Sequence, residues 1–384
     1  MATIAKYDTA KGVRYRVRYR TPQGRQTDKR GFTTKRAAEA FAATVEVKKL
    51  TGQYVSHRAG RVAFEDLAEE WAAGKVNLKP TSAERNRQSL DNQVLPAWGA
   101  VAVGDITRAD IQQWIAGMVA AKLSPSTVHK AHNALSAVLT LAVKDNRIAS
   151  NPAEGVSLPR LRKKEQHPLT LDQLMLFAEY ADRGRRAVLL MGLAGPRWGE
   201  MAALKAKRWD TNRRRIHIEE SVTEIQGKLT WGTPKTHEIR TLAVPPFLAD
   251  ELDELVANMS PNDLMFPARG GGVMRNKNAR RDWFDPAVLE LFPPAEELEE
   301  GKAPVPSVNF TPHDLRHTAA SIAISRGANV KAIQRMLGHA TASMTLDIYG
   351  HLFDDELDDV AARIDPFRKP PGTVVDLAER RASS

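Results

Sequence analysis

The chain has 384 residues, 42% of them hydrophobic, with 56 Lys and Arg against 46 Asp and Glu and no cysteine. That length predicts two or three domains, and the missing cysteine excludes a disulfide framework and any cysteine-ligated zinc. The opening MATIAKYDTAKG has no signal-peptide core, and no apolar run reaches the roughly 18 residues of a membrane span, so a cytoplasmic protein without membrane contact is expected.

The net charge of +10 sits at one end: the first 60 residues hold 14 bases and 4 acids, which leaves 42 of each in the rest. Such asymmetry points to a segment that meets a polyanion, against the plainer reading of a solubilising tail. Residues 13–20 alternate strictly, which predicts a strand with Val13, Tyr15, Val17 and Tyr19 on one face and Arg14, Arg16, Arg18 and Arg20 on the other. Four arginines on one face repel one another unless an anion lies between them. A turn at 21–24, a strand from Arg25 to Phe32 and a helix to about Leu50, capped by Thr33 or Thr34, complete a small three-stranded sheet backed by a helix. Ala37, Ala38, Phe41 and Val45 form the expected inner face of that helix.

Residues 51–61 read as a linker, and a helical pattern runs from Val62 to about Asp145. One helix there, Thr81 to Leu95, is expected to stop at Pro96. Thr107 and then Ser124-Pro125 open two more helices. Arg85, Arg87, His129 and Lys130 read as solvated surface. A second boundary at 151–168 carries Arg160, Arg162, Lys163 and Lys164, which suit either a DNA backbone or a solvated hinge. Further helices follow from Leu169, interrupted by a β-rich patch from Arg215 to Val244. The acidic, proline-rich stretch 293–306 reads as an exposed loop. The fold class is therefore α+β, a mainly helical multidomain protein with small sheets.

Four separate strings carry chemistry. In Gly195-Pro196-Arg197-Trp198-Gly199-Glu200, Arg197 stands near a helix start and Glu200 can orient it. Gly232 and Pro234 mark a hairpin turn that presents Lys235. In Thr311-Pro312-His313-Asp314-Leu315-Arg316-His317-Thr318, Thr311 can cap a helix whose one face carries His313 and Arg316, exposed together to donate to a phosphate. Leu337-Gly338-His339 ends a helix, and Tyr349 follows ten residues on. Singly, each string has an ordinary structural explanation.

Together and in this order, Arg197, Lys235, His313, Arg316, His339 and Tyr349 resemble the full pattern of the tyrosine recombinases and phage integrases. Pro196 departs from the apolar residue usual before the first arginine, and the 293–306 loop is longer than usual. The resemblance implies an arm-type DNA-binding domain at 1–55, a helical (SAM-like) core-binding domain at 62–155, a catalytic domain at 169–368 and a tail at 369–384. This is the layout of the two-site, lambda-like class. It also implies Tyr349 as nucleophile through a 3′-phosphotyrosyl intermediate, with Arg197, Arg316 and His339 on the phosphate, His313 assisting proton transfer and Lys235 as general acid. Neither metal nor other cofactor is implied. The implied partners are double-stranded DNA at core and arm sites, a tetramer of the chain itself, a host DNA-bending protein and an excision factor, acting at the nucleoid of a bacterial host. The alternatives are a resolvase or topoisomerase with the same chemistry, and a non-catalytic DNA-binding regulator.

Overall fold

The structure is a computed structural model; it describes residues 2–10, 12–22, 24–50, 59–75, 78–161, 166–233, 239–295 and 304–353. The chain divides into two compact units, residues 1–163 and 164–384. No described helix is long and apolar enough to cross a membrane.

The first unit opens with an antiparallel sheet of β1 (Thr3–Thr9), β2 (Gly12–Arg20) and β3 (Gln26–Phe32), in that order, followed by α1 (Lys35–Leu50). Val17 and Tyr19 on β2 are buried with Ala38 and Val45 of α1, as the alternation requires. Thr34 caps α1, its Oγ1 accepting from Ala37 N at 3.2 Å. Two details differ from the sequence reading. Ala37 is exposed and Ala42 takes its place on the inner face, while Val13 lies at the open end of the strand and is exposed. The opposite face carries the arginines, with Arg14 and Arg16 half-buried and Arg18 and Arg20 exposed. It also carries a counterion, because Arg18 lies across from Asp28. Arg30 holds that carboxylate at 2.7 Å, and Arg30 first, then Arg16 and Arg18, keep it below the usual carboxylate range.

Next come α2 (Phe64–Ala73), α3 (Pro80–Ser89), α4 (Leu95–Trp98), α5 (Arg108–Ala120) and α6 (Pro125–Lys144). Along α6, Val128, Ala131, Leu135, Val138, Leu139 and Ala142 recur at helical spacing, and all are buried. The expected stop at Pro96 does not occur. A π turn over Leu90–Val94 joins α3 to α4, with Leu95 N donating five residues back to Leu90 O. The wider turn moves the proline ring away from the carbonyl it would otherwise strike, so the helix runs on to Trp98. The segment after α6 folds back on the helices. Ala153 O and Pro159 O meet His132 Nε2 and His129 Nε2, each at 2.9 Å, and Gln112 bonds the Ser157 backbone in both directions. His129 is thus half-buried and bonded, not solvated surface, and Arg87 is ion-paired with Glu69 and Asp91. Arg160 is exposed; Arg162, Lys163 and Lys164 lie outside the described residues.

The second unit contains α7 (Leu171–Tyr180), α8 (Arg185–Ala194), α9 (Trp198–Ala202), β4 (Trp209–Asp210), β5 (Arg215–Ile218), β6 (Ser221–Ile225), β7 (Lys228–Gly232) and β8 (Arg240–Ala243). After these come α10 (Pro246–Val256), α11 (Asn276–Ala279), a second π turn at Arg280–Phe284, α12 (Asp285–Leu291), α13 (Asp314–Ser325), α14 (Val330–Leu337) and α15 (Ala342–Tyr349). That π turn also precedes a proline, Pro286. Helix α8 is central: Ala187, Val188, Leu189, Leu190 and Met191 are all buried. Nearby, the rings of Phe177, Phe284 and Phe310 lie 5.2, 5.6 and 6.1 Å apart. The sheet order is β4-β5-β8, with β6-β7 a separate hairpin turning at Gln226-Gly227. This corrects the expected hairpin about Gly232 and Pro234. Gly232 lies opposite Ser221, and the returning strand pairs with β5, where the fully buried Ile216 and Leu242 face each other. Burial of that pair, not closeness in sequence, selects the partner.

Gly199 is where α9 and β6 come closest, since a Cβ there would stand 2.4 Å from Val222 O. Backbone oxygen cannot give way as a side-chain tip can. Gly199→Ala should therefore lower stability by about 1–3 kcal/mol, read as a fall in the thermal midpoint of the full chain. An unchanged midpoint would mean that the α9–β6 packing is not so constrained.

Candidate active site

The site forms where several chain segments end. Helix α9 begins at Arg197, its N-cap, and Glu200 at the third helical position reaches back. Glu200 accepts from Arg197 N at 2.8 Å and from Arg197 Nη1 at 3.0 Å. The same carboxylate takes both terminal nitrogens of Arg240, on β8, at 2.9 and 2.5 Å. Glu200 and Arg240 are buried, whereas Arg197 is a quarter exposed. Burial alone would raise the Glu200 pKa, but Arg240 first and Arg197 second more than reverse this and hold it below the usual value.

Arg316 is not the exposed partner of His313 that helical spacing suggested. It is buried, and its guanidinium donates to Gly195 O at 2.6 Å and to Leu337 O. These oxygens belong to the C-terminal ends of α8 and α14, where carbonyls lack helical partners and carry partial negative charge. Burial, followed by Arg197 and Arg240, pulls its pKa down to about 9, so it remains a cation at neutral pH. The expected start of α13 at Thr311 also shifts. Thr311 N and Oγ1 bond Asp314 Oδ2 at 2.8 and 2.6 Å, His313 is the N-cap, and the helix begins at Asp314. His313 itself is exposed at the rim.

Gly338 closes α14 at φ +60°, a left-handed position, and a Cβ on it would stand 2.9 Å from Arg240 Cδ. Glycine is needed there on both counts, and it delivers His339 to the site. His339 Nδ1 lies 3.1 Å from Thr345 Oγ1. Burial first, then Arg316 and Arg197, depress His339 to about 4, so its ring is neutral at pH 7. In the tautomer where Nδ1 accepts from Thr345, Nε2 keeps a proton to donate. Tyr349 ends α15, is buried, and is pushed up to about 12 by that burial, against the pull of Arg316. Its hydroxyl lies 2.7 Å from His317 Nδ1.

The structure thus brings Arg197, Glu200, Arg316, His339 and Tyr349 together, with His313 beside them. Lys235 lies outside the described residues. Two members went unseen in sequence: Arg240 and His317. The signal for His317 was its spacing of four from His313, one helical face, with the two rings 5.1 Å apart in the fold. Arg240 had only its place two residues before a buried strand leucine, Leu242. Among the described residues of the site, three guanidinium groups against one carboxylate leave two positive charges, enough to hold an anion that gains charge as it reacts.

The chain is similar to known proteins in sequence and in fold. The phage integrase family pattern matches residues 168–356, and the phage integrase central domain matches residues 64–157. The integrase of Mycobacterium phage L5 is 26% identical over 320 residues, 81% of this chain and 76% of that protein. Among solved structures, the Tn1549 transposon integrase in complex with transposon right end DNA has a TM-score of 0.66 at 20% identity, covering 79% of this chain and 99% of that one. A lambda integrase dimer bound to a COC′ core site has a TM-score of 0.55 at 15% identity, covering 95% and 97%. The chain belongs to the phage integrase family and is a tyrosine site-specific recombinase of the phage-integrase type.

The Glu200 pairing has a pH signature. Its folded pKa lies below the ordinary 4.5, so its contribution to stability is fully present above that value and is lost as pH falls below it. Glu200→Gln should lower stability at pH 7 by about 3–5 kcal/mol, because two arginines lose a buried partner. The variant should also lose less of its remaining stability than the parent between pH 5 and about pH 3. Thermal midpoints of both proteins across that range test the pairing, and parallel curves would contradict it.

Proposed function

We propose that this integrase cleaves DNA with Tyr349 of the same chain that supplies the phosphate-binding groups. The observation that carries the reading is the buried Tyr349 hydroxyl beside a site holding two surplus positive charges. Arg197 and Arg316 grip the non-bridging oxygens of the scissile phosphate, Arg240 and Glu200 hold Arg197 in place, and neutral His339 donates from Nε2. Attack by the phenol oxygen gives a 3′-phosphotyrosyl link and a free 5′-hydroxyl. Lys235 protonates the leaving oxygen and a histidine near Tyr349 takes up the phenol proton, roles that the family resemblance gives to Lys235 and His313. The link conserves the phosphodiester's energy, so a second strand's 5′-hydroxyl can reverse it.

The remaining roles follow the same reading. Residues 62–155 and 169–368 bind the core site, and Arg160, Arg162, Lys163 and Lys164 contact the DNA backbone. Residues 1–55 hold an arm site through Arg14, Arg16, Arg18 and Arg20, and linking the two sites raises effective concentration. Four copies assemble on two duplexes. Lambda integrase, solved as a tetramer bound to a Holliday junction, supports this. A host DNA-bending protein and an excision factor set the direction, and the work is done in the cytoplasm on nucleoid DNA.

Tyr349→Phe should keep DNA binding and form no denaturation-resistant protein–DNA adduct on a nicked suicide duplex. An adduct formed by that variant would remove Tyr349 as nucleophile. For the arm, Arg16→Glu with Arg18→Glu in the full chain should leave cleavage of a simple core duplex intact. It should cut integration that depends on distant arm sequences by about tenfold or more, since each lost phosphate contact weakens binding. Equal integration by parent and variant would refute the arm assignment and leave the catalytic one standing.

A further inference from the structure

The sequence reading gave the assisting role to His313. The hydroxyl of Tyr349 has a different neighbour. His317 Nδ1 lies 2.7 Å from it, with the two rings 5.7 Å apart and inclined at 54°. His317 stands on α13 one helical turn beyond His313 and next to Arg316, whose guanidinium is fixed by carbonyls at the ends of α8 and α14. The nucleophile, the phosphate-gripping arginine and this imidazole are therefore set by one short helix and the end of α15. We propose that His317 is the group that takes the hydroxyl proton as Tyr349 attacks the scissile phosphate. This rests on the reading of Tyr349 as nucleophile.

The step balances within the site. The Tyr349 oxygen–phosphorus bond forms and the bond from phosphorus to the 5′-oxygen breaks. The phenol proton moves to His317 Nδ1, which requires the neutral ring to carry its own proton on Nε2. The 5′-oxygen leaves with a proton from the general acid, assigned to Lys235. In rejoining, the incoming 5′-hydroxyl returns that proton to the lysine, and the imidazolium returns the other to the Tyr349 oxygen. The cation formed on His317 would be unwelcome in a site that already carries Arg197, Arg240 and Arg316. The phosphodiester brings a negative charge that offsets it. The buried hydroxyl, raised to about 12, supplies almost no phenolate without such an acceptor.

The test uses full-length protein and single-turnover cleavage of two suicide duplexes, one with the natural 5′-bridging oxygen and one with sulfur in its place. A thiolate leaves without being protonated, so sulfur relieves a defect in the general acid and not one in the nucleophile's base. His317→Ala should bind DNA like the parent and cleave both duplexes about a hundredfold or more slowly. Lys235→Ala should be slow on oxygen and recover on sulfur. His317→Asn, which can hold the hydroxyl by a hydrogen bond but cannot take its proton, should be as slow as His317→Ala, and it decides the matter if the alanine variant folds poorly. Cleavage by His317→Asn near the parent rate, or recovery of either His317 variant on sulfur, would overturn the proposal. Those results leave the nucleophile untouched, because the Tyr349→Phe adduct assay reports on it separately.

Discussion

One buried carboxylate holds the site together. Glu200 is the shared acceptor for Arg197 and Arg240, which come from different parts of the second unit, one at the start of α9 and one on β8. Without it, two guanidinium groups near a third would repel one another in a region largely shielded from water. With it, their positions are fixed before any ligand arrives, so little reorganisation is needed when charge develops on a phosphate. The pairing also places β8, and Arg240 in turn packs against Gly338, which positions His339. Arg316 is secured differently, by carbonyls at two helix ends. The site thus uses one carboxylate for two arginines and bare backbone for the third, and so retains positive charge. A second carboxylate in place of those carbonyls would hold Arg316 equally well and cancel half of the charge that remains.

Much of this was legible in the sequence, for identifiable reasons. The α+β class, the arginine-faced strand and the long helix α6 all follow from periodicity, which records a burial pattern directly. That the strings around Arg197, Arg316, His339 and Tyr349 belong to one site was legible because their order matches a known pattern. Most of what failed depends on partners distant in sequence. Arg316 shares a helix face with His313 by spacing, yet spacing cannot say that two helix ends will close over it. The pairing of β8 with β5 instead of its sequence neighbour β7 was hidden for the same reason, and Arg240 with it. Prolines misled at Pro96, where a preceding π turn lets the helix run on. The identical device before Pro286 suggests that an unbroken polar-apolar pattern across a proline should be read as one helix with a widened turn.

The N-terminal sheet shows the opposite economy from the catalytic site. Its core is a handful of side chains around Val17, Tyr19, Ala38 and Val45, too few to offset strong repulsion on the other face. Asp28 relieves that repulsion by standing across from Arg18 and pairing with Arg30. The pair is solvent-exposed, so it adds little stability of its own. Its effect on recognition is larger. A phosphate approaching Arg18 meets a negative neighbour, whereas Arg14 and Arg20, farther along the strand, do not share that neighbour. The face is therefore uneven. On the arm-site role proposed above, its ends would suit phosphates, and its middle would present a donor and an acceptor side by side, the arrangement a base edge can read and a backbone cannot. A face built for affinity alone would have no acid there; one that must find a particular arm sequence gains from giving up some non-specific attraction at its centre.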